Sequence, residues 1–280
     1  MIEVDRPQPL PADLAHGLAL AAERLGGTAV APAVLYYPVA TSTNDLAMRL
    51  GDVGYGDGTI VLAGQQTAGR GRSGHSWYSP AGAGLYLSVL LDATRTGGDW
   101  PRLLTLTAGV AVAEALHAAS GLPVQIKWPN DLVVAPSGIV RGARKLAGIL
   151  AEGRTDGSRL DRLVLGVGIN VRSVAWPDEI SARATSLEDE LGRPVDPGLV
   201  LGTVVARLST WIARLRGGES RTVIARWQQL AVGVTGAPVA LESDGGALRG
   251  VTAGIDETGA LLVRRAGATV PVTAGEVRWL

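Results

Sequence analysis

Gln66-Thr67-Ala68-Gly69-Arg70-Gly71-Arg72-Ser73-Gly74, continued by His75-Ser76-Trp77, is the stretch from which the rest of this chain can be read. Three glycines and two arginines fall between Gly69 and Gly74. Glycine gives a loop the backbone freedom to approach and cover a ligand. Arginine gives permanent charge and a planar donor fork suited to carboxylate or phosphate. On one side, residues 59–63 (Thr-Ile-Val-Leu-Ala) read as a buried strand; on the other, residues 85–91 (Leu-Tyr-Leu-Ser-Val-Leu-Leu) read as a second. A flexible cationic loop between two strands has the character of an anion-handling lid. Arg-Gly runs also occur in nucleic-acid-binding tails, so the loop needs the company of other motifs.

Composition narrows the classes. At 280 residues the chain can hold one large and one small domain. Lys+Arg and Asp+Glu both total 26, and a chain with no net charge is poorly suited to holding duplex DNA. The absence of cysteine excludes disulfides, thiolate metal sites and cysteine nucleophiles, and fits a reducing compartment. Residues 1–6 lack the basic and apolar segments of a secretory signal, and no uncharged apolar run reaches a membrane span. These features read as a soluble, cytoplasmic protein with a core of small aliphatics.

Working outward, residues 1–33 hold an extension with a short helix near 13–25, too little for a winged helix-turn-helix. Residues 34–37 form a strand, followed by Ser42-Thr43-Asn44, which are N-cap types for the next helix. The same hydroxyls and helix amides could instead meet a polar ligand. Residues 103–119 carry apolar positions at helical spacing and stop at Gly121 and Pro123. Glu114 and His117 in that helix read as surface positions. Lys127-Trp128-Pro129-Asn130-Asp131 reads as a rigid corner between two strands. Residues 145–152 and 163–171 are strands in which Gly148, Gly166 and Gly168 remove side chains where a flat ligand could lie. Lys145 enters an apolar strand, where an ammonium needs a partner. Helices follow near 199–215 and 223–230. From about 233 short strands and turns make a small β module, read as a compact SH3-like barrel.

With these motifs in order, the chain closely resembles the biotin protein ligases, over roughly residues 34–280. The matching stretches are Ser42-Thr43-Asn44, residues 66–72, residues 127–131, residues 144–150 and residues 166–170. The resemblance implies an α/β (α+β) fold of the class II synthetase, biotin-ligase-like kind. A mixed, mostly antiparallel sheet carries helices on one side, in a catalytic domain at 34–232 followed by the β domain at 233–280. It implies biotin and MgATP as substrates, biotinyl-5′-AMP as intermediate, and transfer of biotin to a lysine of a carrier domain of acetyl-CoA or related carboxylases. By resemblance Lys145, Arg70 and Arg72 are catalytic through charge stabilisation. Ser42, Thr43, Asn44, Gln66, Arg70, Gly71, Arg72, Lys145, Gly148 and Gly168 bind biotin. Arg70, Arg72, Trp77, Lys127, Trp128, Asn130 and Asn170 bind ATP or the adenylate. No metal is held permanently; Mg2+ arrives with ATP near Asn170. Asp131 stands behind the contacting groups or orients the carrier lysine.

Many bacterial relatives carry an N-terminal DNA-binding domain. The 34-residue approach and zero net charge lead us to expect a monofunctional ligase without operator binding, as monomer or homodimer. Thirteen residues, 132–144, separate Asp131 from Lys145 and include Pro136, Gly138 and Gly142, which reads as a long hairpin. The rival readings are a lipoate–protein ligase, which shares the acyl-adenylate logic, and a non-catalytic biotin or nucleotide sensor.

Overall fold

In the computed structural model, residues 6–24, 33–95, 100–135, 139–157, 159–243, 246–273 and 277–280 are described. Pro136 and Gly138 of the long hairpin, and the turn expected at Asp244-Gly245, lie outside them.

Seven strands form the main sheet: β1 (Val34–Tyr37), β2 (Ile60–Ala63), β3 (Gly84–Asp92), β4 (Gln125–Lys127), β5 (Asp131–Val134), β6 (Arg144–Asp156) and β7 (Arg159–Asn170). Their order is β1-β2-β3-β7-β6-β5-β4, with β1 and β2 parallel and every other pair antiparallel. The sheet is mixed and mostly antiparallel, as the sequence implied.

Side chains alternate between the two faces of a strand, and here that alternation separates core from site. In β7, Leu163, Leu165, Val167 and Ile169 join the main core, while Gly166, Gly168 and Asn170 belong to the other face. The core side is covered by α3 (Leu104–Ser120) and, after the short α4 (Asp178–Ser181) and α5 (Leu187–Leu191), by α6 (Pro197–Arg216), with α7 (Ser220–Leu230) beside them. Gly121 ends α3 at φ 80°, a left-handed cap that a side chain would strain. Asp196 begins α6 by accepting the N–H groups of Gly198 and Leu199. The segment 100–120 and α6 both have the length and hydropathy of a membrane span. Most of the first and over half of the second are buried inside the protein, as core helices are.

One expectation needs correction: helices do not lie on one side alone. α2 (Thr43–Asp52) packs Leu46, Ala47 and Leu50 against Val61, Ala63, Leu90 and Val164 on the opposite face. Its apolar residues recur at helical spacing, but spacing cannot tell which face of a sheet a helix will cover. Glu114 is a second correction. It is largely buried in α3 and accepts hydrogen bonds from Trp211 Nε1 (3.0 Å) and Arg226 Nε (2.7 Å), so it ties α6 and α7 to α3.

The first helix, α1 (Ala12–Arg24), lies against α6, with Gly17 facing Gly198 so closely that a Cβ on either would meet backbone. The C-terminal sheet holds β8 (Thr235–Ser243), β9 (Gly246–Ile255), β10 (Leu261–Arg265), β11 (Ala268–Val272) and β12 (Val277–Trp279). Its order is β11-β10-β9-β8-β12, antiparallel throughout. Among the described residues β11 and β12 do not pair, so the five strands form a small sheet whose closure into the barrel read from the turn pattern is not shown. The three-residue β12 was not foreseen, because it is too short to show strand alternation.

Candidate active site

A cleft of about 550 Å³ opens on the α2 side of the main sheet, a volume ordinary for a small-molecule site. Every residue assigned a site role from the sequence lines it: Ser42, Thr43, Asn44, Gln66, Arg70, Gly71, Arg72, Trp77, Lys127, Trp128, Asn130, Lys145, Gly148, Gly168 and Asn170, with Asp131. Five Lys or Arg residues line the cleft against two Asp or Glu. A chain without net charge has therefore concentrated cations in one place.

Ser42 is the backbone N-cap of α2, yet its hydroxyl makes no capping bond. The orphan N–H of Thr43 is instead satisfied by Gln66 Oε1 at 2.8 Å, from 23 residues away. Thr43 Oγ1 lies 3.1 Å from the same oxygen, and Gln66 Nε2 donates to Ser79 Oγ at 2.9 Å. Asn44 is fully committed: Ser88 Oγ donates to its Oδ1 at 2.6 Å, and its Nδ2 donates to Glu152 Oε2 at 2.6 Å. A Cβ at Gly166 would run into the Asn44 amide, so this glycine makes room for a side chain of the protein.

The Gly-Arg loop is more ordered than its composition suggested. Gly71 N–H donates to His75 O at 2.6 Å and Trp77 N–H to Gly69 O at 2.9 Å. Thr67 and Ala68 N–H reach the carbonyls of Ala40 and Thr41. Ser73 takes φ 55° and Gly74 φ 79°, turning the loop back on itself. Backbone bonds of this kind depend on register, which glycine content does not reveal. Arg70 Nη2 lies 2.7 Å from both Asp45 Oδ1 and Glu152 Oε2. Among the described residues no ion pair holds Arg72.

Lys145 has the partner that its apolar strand required. Its Nζ lies 2.5 Å from Asp131 Oδ1 and 5.2 Å from the centre of the Trp77 ring. Gly148 and Gly168, paired across β6 and β7, do accept a flat group, but in this structure it is the Trp77 indole. The Trp77 Nε1 is buried without a hydrogen-bond partner among the described residues. Asn130 Nδ2 donates to Ile149 O at 2.8 Å and fixes the corner after Pro129. Trp128 is buried, and its indole donates to Gly259 O at 3.0 Å in the C-terminal unit. Lys127 Nζ stands 4.8 Å over the Trp279 ring. Asn170 is buried and donates to Thr185 O at 2.9 Å. Among the described residues no three His, Cys, Asp or Glu side chains gather as a metal cluster.

Sequence reasoning missed the outer wall. Trp176, Glu179 and Arg183 come from the segment after β7, and Val277 and Trp279 from β12. Trp176 is held by Tyr78, ring centres 6.2 Å apart, and by Asp189. Burial pushes the Asp189 carboxyl up, but hydrogen bonds from Ser173, Ser186 and Trp176 hold it below the usual carboxylate range. The two tryptophans, Trp176 just before Pro177 and Trp279 just after Arg278, were the available signal for this wall.

Comparison with known proteins agrees with this geometry. The Biotin/lipoate A/B protein ligase family matches residues 36–170, and the Biotin protein ligase C terminal domain matches residues 234–278. The Biotin--[acetyl-CoA-carboxylase] ligase of Mycobacterium tuberculosis is 34% identical over 84% of this chain and 85% of its own length. The Bifunctional ligase/repressor BirA of Bacillus spizizenii is 32% identical over 82% of this chain and 69% of its own. The solved structure of the biotin protein ligase from Aquifex aeolicus in complex with biotin and ATP superposes with a TM-score of 0.75. It has 29% identity and covers 89% of this chain and 98% of that one. The chain belongs to the biotin/lipoate A/B protein ligase family, as a biotin protein ligase.

Proposed function

We propose that this protein joins biotin to MgATP, releasing pyrophosphate and forming biotinyl-5′-AMP. It then transfers biotin to a lysine of a carrier domain of acetyl-CoA carboxylase or a related carboxylase. The observation that carries this reading is the meeting in one cleft of all five sequence motifs, with Lys145 held by Asp131 and Arg72 on the same lining without an ion pair among the described residues.

The first step brings a carboxylate to an α-phosphate, and two anions meet only where cations offset their repulsion. In our reading Lys145 and Arg72 supply that charge. Asp131 fixes the ammonium of Lys145, and Trp77 packs against it. Ser42, Thr43 and Gln66 offer hydrogen bonds to the ureido ring. Gly148 and Gly168 bind biotin indirectly, by seating the Trp77 indole against the sheet on the ligand's side, and Gly71 lets the loop backbone approach the ligand. Lys127, Trp128, Asn130 and Asn170 form the nucleotide side. Because Asn170 Nδ2 is committed to Thr185, its Oδ1 is the acceptor offered to Mg2+ carried by ATP. In the second step the carrier amine attacks the acyl carbon and AMP leaves. The loop keeps water from that anhydride in the meantime. Such substrates place the reaction in the cytoplasm.

Incubation with biotin, MgATP and a biotin carrier domain, followed by mass spectrometry of the carrier, tests the proposal. The expected result is a biotin-sized mass increase with stoichiometric AMP, unaffected by excess lipoate. Transfer of lipoate in place of biotin, or biotin binding without any AMP, would reject it.

A further inference from the structure

Two arginines of one loop meet opposite surroundings. Arg70 Nη2 is shared by Asp45 and Glu152, each at 2.7 Å, while Arg72 has no ion pair among the described residues. Asp45 lies in the first turn of α2, where the helix dipole favours a carboxylate. Glu152 lies on β6 and also accepts Asn44 Nδ2 at 2.6 Å. Both carboxylates therefore stand on regular elements, and the guanidinium of Arg70 is neutralised by them.

The contacts continue beyond Arg70. From Glu152 they pass through Asn44 to Ser88 Oγ, which lies 2.8 Å from Thr43 Oγ1. Thr43 meets Gln66, Gln66 meets Ser79, and Ser79 Oγ donates to Trp77 O at 3.0 Å. A path of polar contacts that starts at Arg70 thus returns to the same loop at Trp77. On the way it crosses Thr43 and Gln66, two of the side chains proposed above for the ureido ring.

We infer that Asp45 and Glu152 form a two-carboxylate latch on Arg70. Arg70 is then a positioning residue that holds the loop over the cleft, and Arg72 is the loop's cation for the ligand. This deepens the biotin-ligase reading and rests on it for its catalytic consequences. The Arg70 and Asp45 side chains are 42% and 46% exposed, and bridges that wet are individually weak. Each should therefore contribute about a two- to fivefold effect. A latch of that strength holds the loop in the resting protein and still lets it open for product release.

The test uses Asp45→Asn and Glu152→Gln, singly and together, with Arg70→Met, all in the full chain. Gln at 152 keeps an acceptor for Asn44, and the partly exposed Asp45→Asn is a second variant that folding cannot confound. The first readout needs no ligand: the rate of tryptic cleavage after Arg72 in the native protein. The double variant and Arg70→Met should each raise it about five- to tenfold. The second readout is AMP released with biotin and MgATP but no carrier, where water attacks the escaping anhydride. In the Asp45→Asn, Glu152→Gln double variant it should rise about fivefold, while biotin-dependent pyrophosphate exchange changes less than about threefold. Adding Asp45→Asn and Glu152→Gln to Arg70→Met should change neither readout further, because their partner is already gone. Unchanged cleavage in the double variant, or additive effects on top of Arg70→Met, would overturn the latch. A wild-type protein without biotin-dependent exchange would instead overturn the ligase reading, and the cleavage assay would still decide the latch.

Discussion

Lys145 shows what one side chain can and cannot disclose. An ammonium in an apolar strand must be paired, and Asp131 pairs it at 2.5 Å. The partner lies fourteen positions earlier, on the neighbouring strand β5, so the strand alone could not name it. Lys145→Ala should slow biotin-dependent pyrophosphate exchange about 100- to 1000-fold, the usual cost of removing a donor that stabilises developing charge. Its folding should be little affected, since the residue is one-third exposed. A loss below about tenfold, measured at saturating biotin and ATP, would remove Lys145 from the centre of the mechanism. Asn44 makes the opposite point. It matched a ligand-contacting motif, but both ends of its amide serve the protein itself.

Between elements, a bidentate ion pair ties the fold together away from the cleft. Arg216, the last residue of α6, donates to both oxygens of Asp57 at 2.7 and 2.9 Å and to the carbonyl of Asp92 at the end of β3. Its guanidinium also stacks on Trp100 at 4.8 Å. Burial pushes the Asp57 carboxyl up, but the Arg216 hydrogen bonds, the Asp92 N–H and the nearby Arg95 charge outweigh it and hold the carboxyl below its usual range. A depressed folded-state pKa stabilises the fold fully above the unfolded value near ~3.9, and that contribution fades as pH falls toward the folded value. Asp57→Asn should cost about 1–3 kcal/mol at pH 7 in urea unfolding. The gap to wild type should narrow below about pH 4. A gap that stays constant with pH would show the carboxylate to be a spectator. Helical spacing revealed α6 in the sequence, but no local pattern could reveal a partner 159 positions away.

For the molecule as a whole, the C-terminal sheet is part of the cleft. Trp128 reaches Gly259, Lys127 faces Trp279, and Val277 and Trp279 close the outer wall. Trp279→Ala should weaken ATP binding about five- to tenfold by calorimetry, on the scale of one cation–π contact plus lost packing, and leave biotin binding nearly unchanged. Equal loss for both ligands would place Trp279 outside the nucleotide side.

The sequence by itself determined the local elements and the chemistry of the cleft. Strand alternation, helix caps and the order of five motifs are properties of neighbouring residues, and short-range sterics and hydrogen bonding act on neighbours. Tertiary structure alone decided that α2 covers the second face of the sheet and that the C-terminal strands take the order β11-β10-β9-β8-β12. It also decided that Arg70 meets two carboxylates while Arg72, two residues on, meets none among the described residues. Each of these depends on which distant groups share a low-dielectric space. Burial and charge pairing are set there by the packed chain and not by the order of its residues.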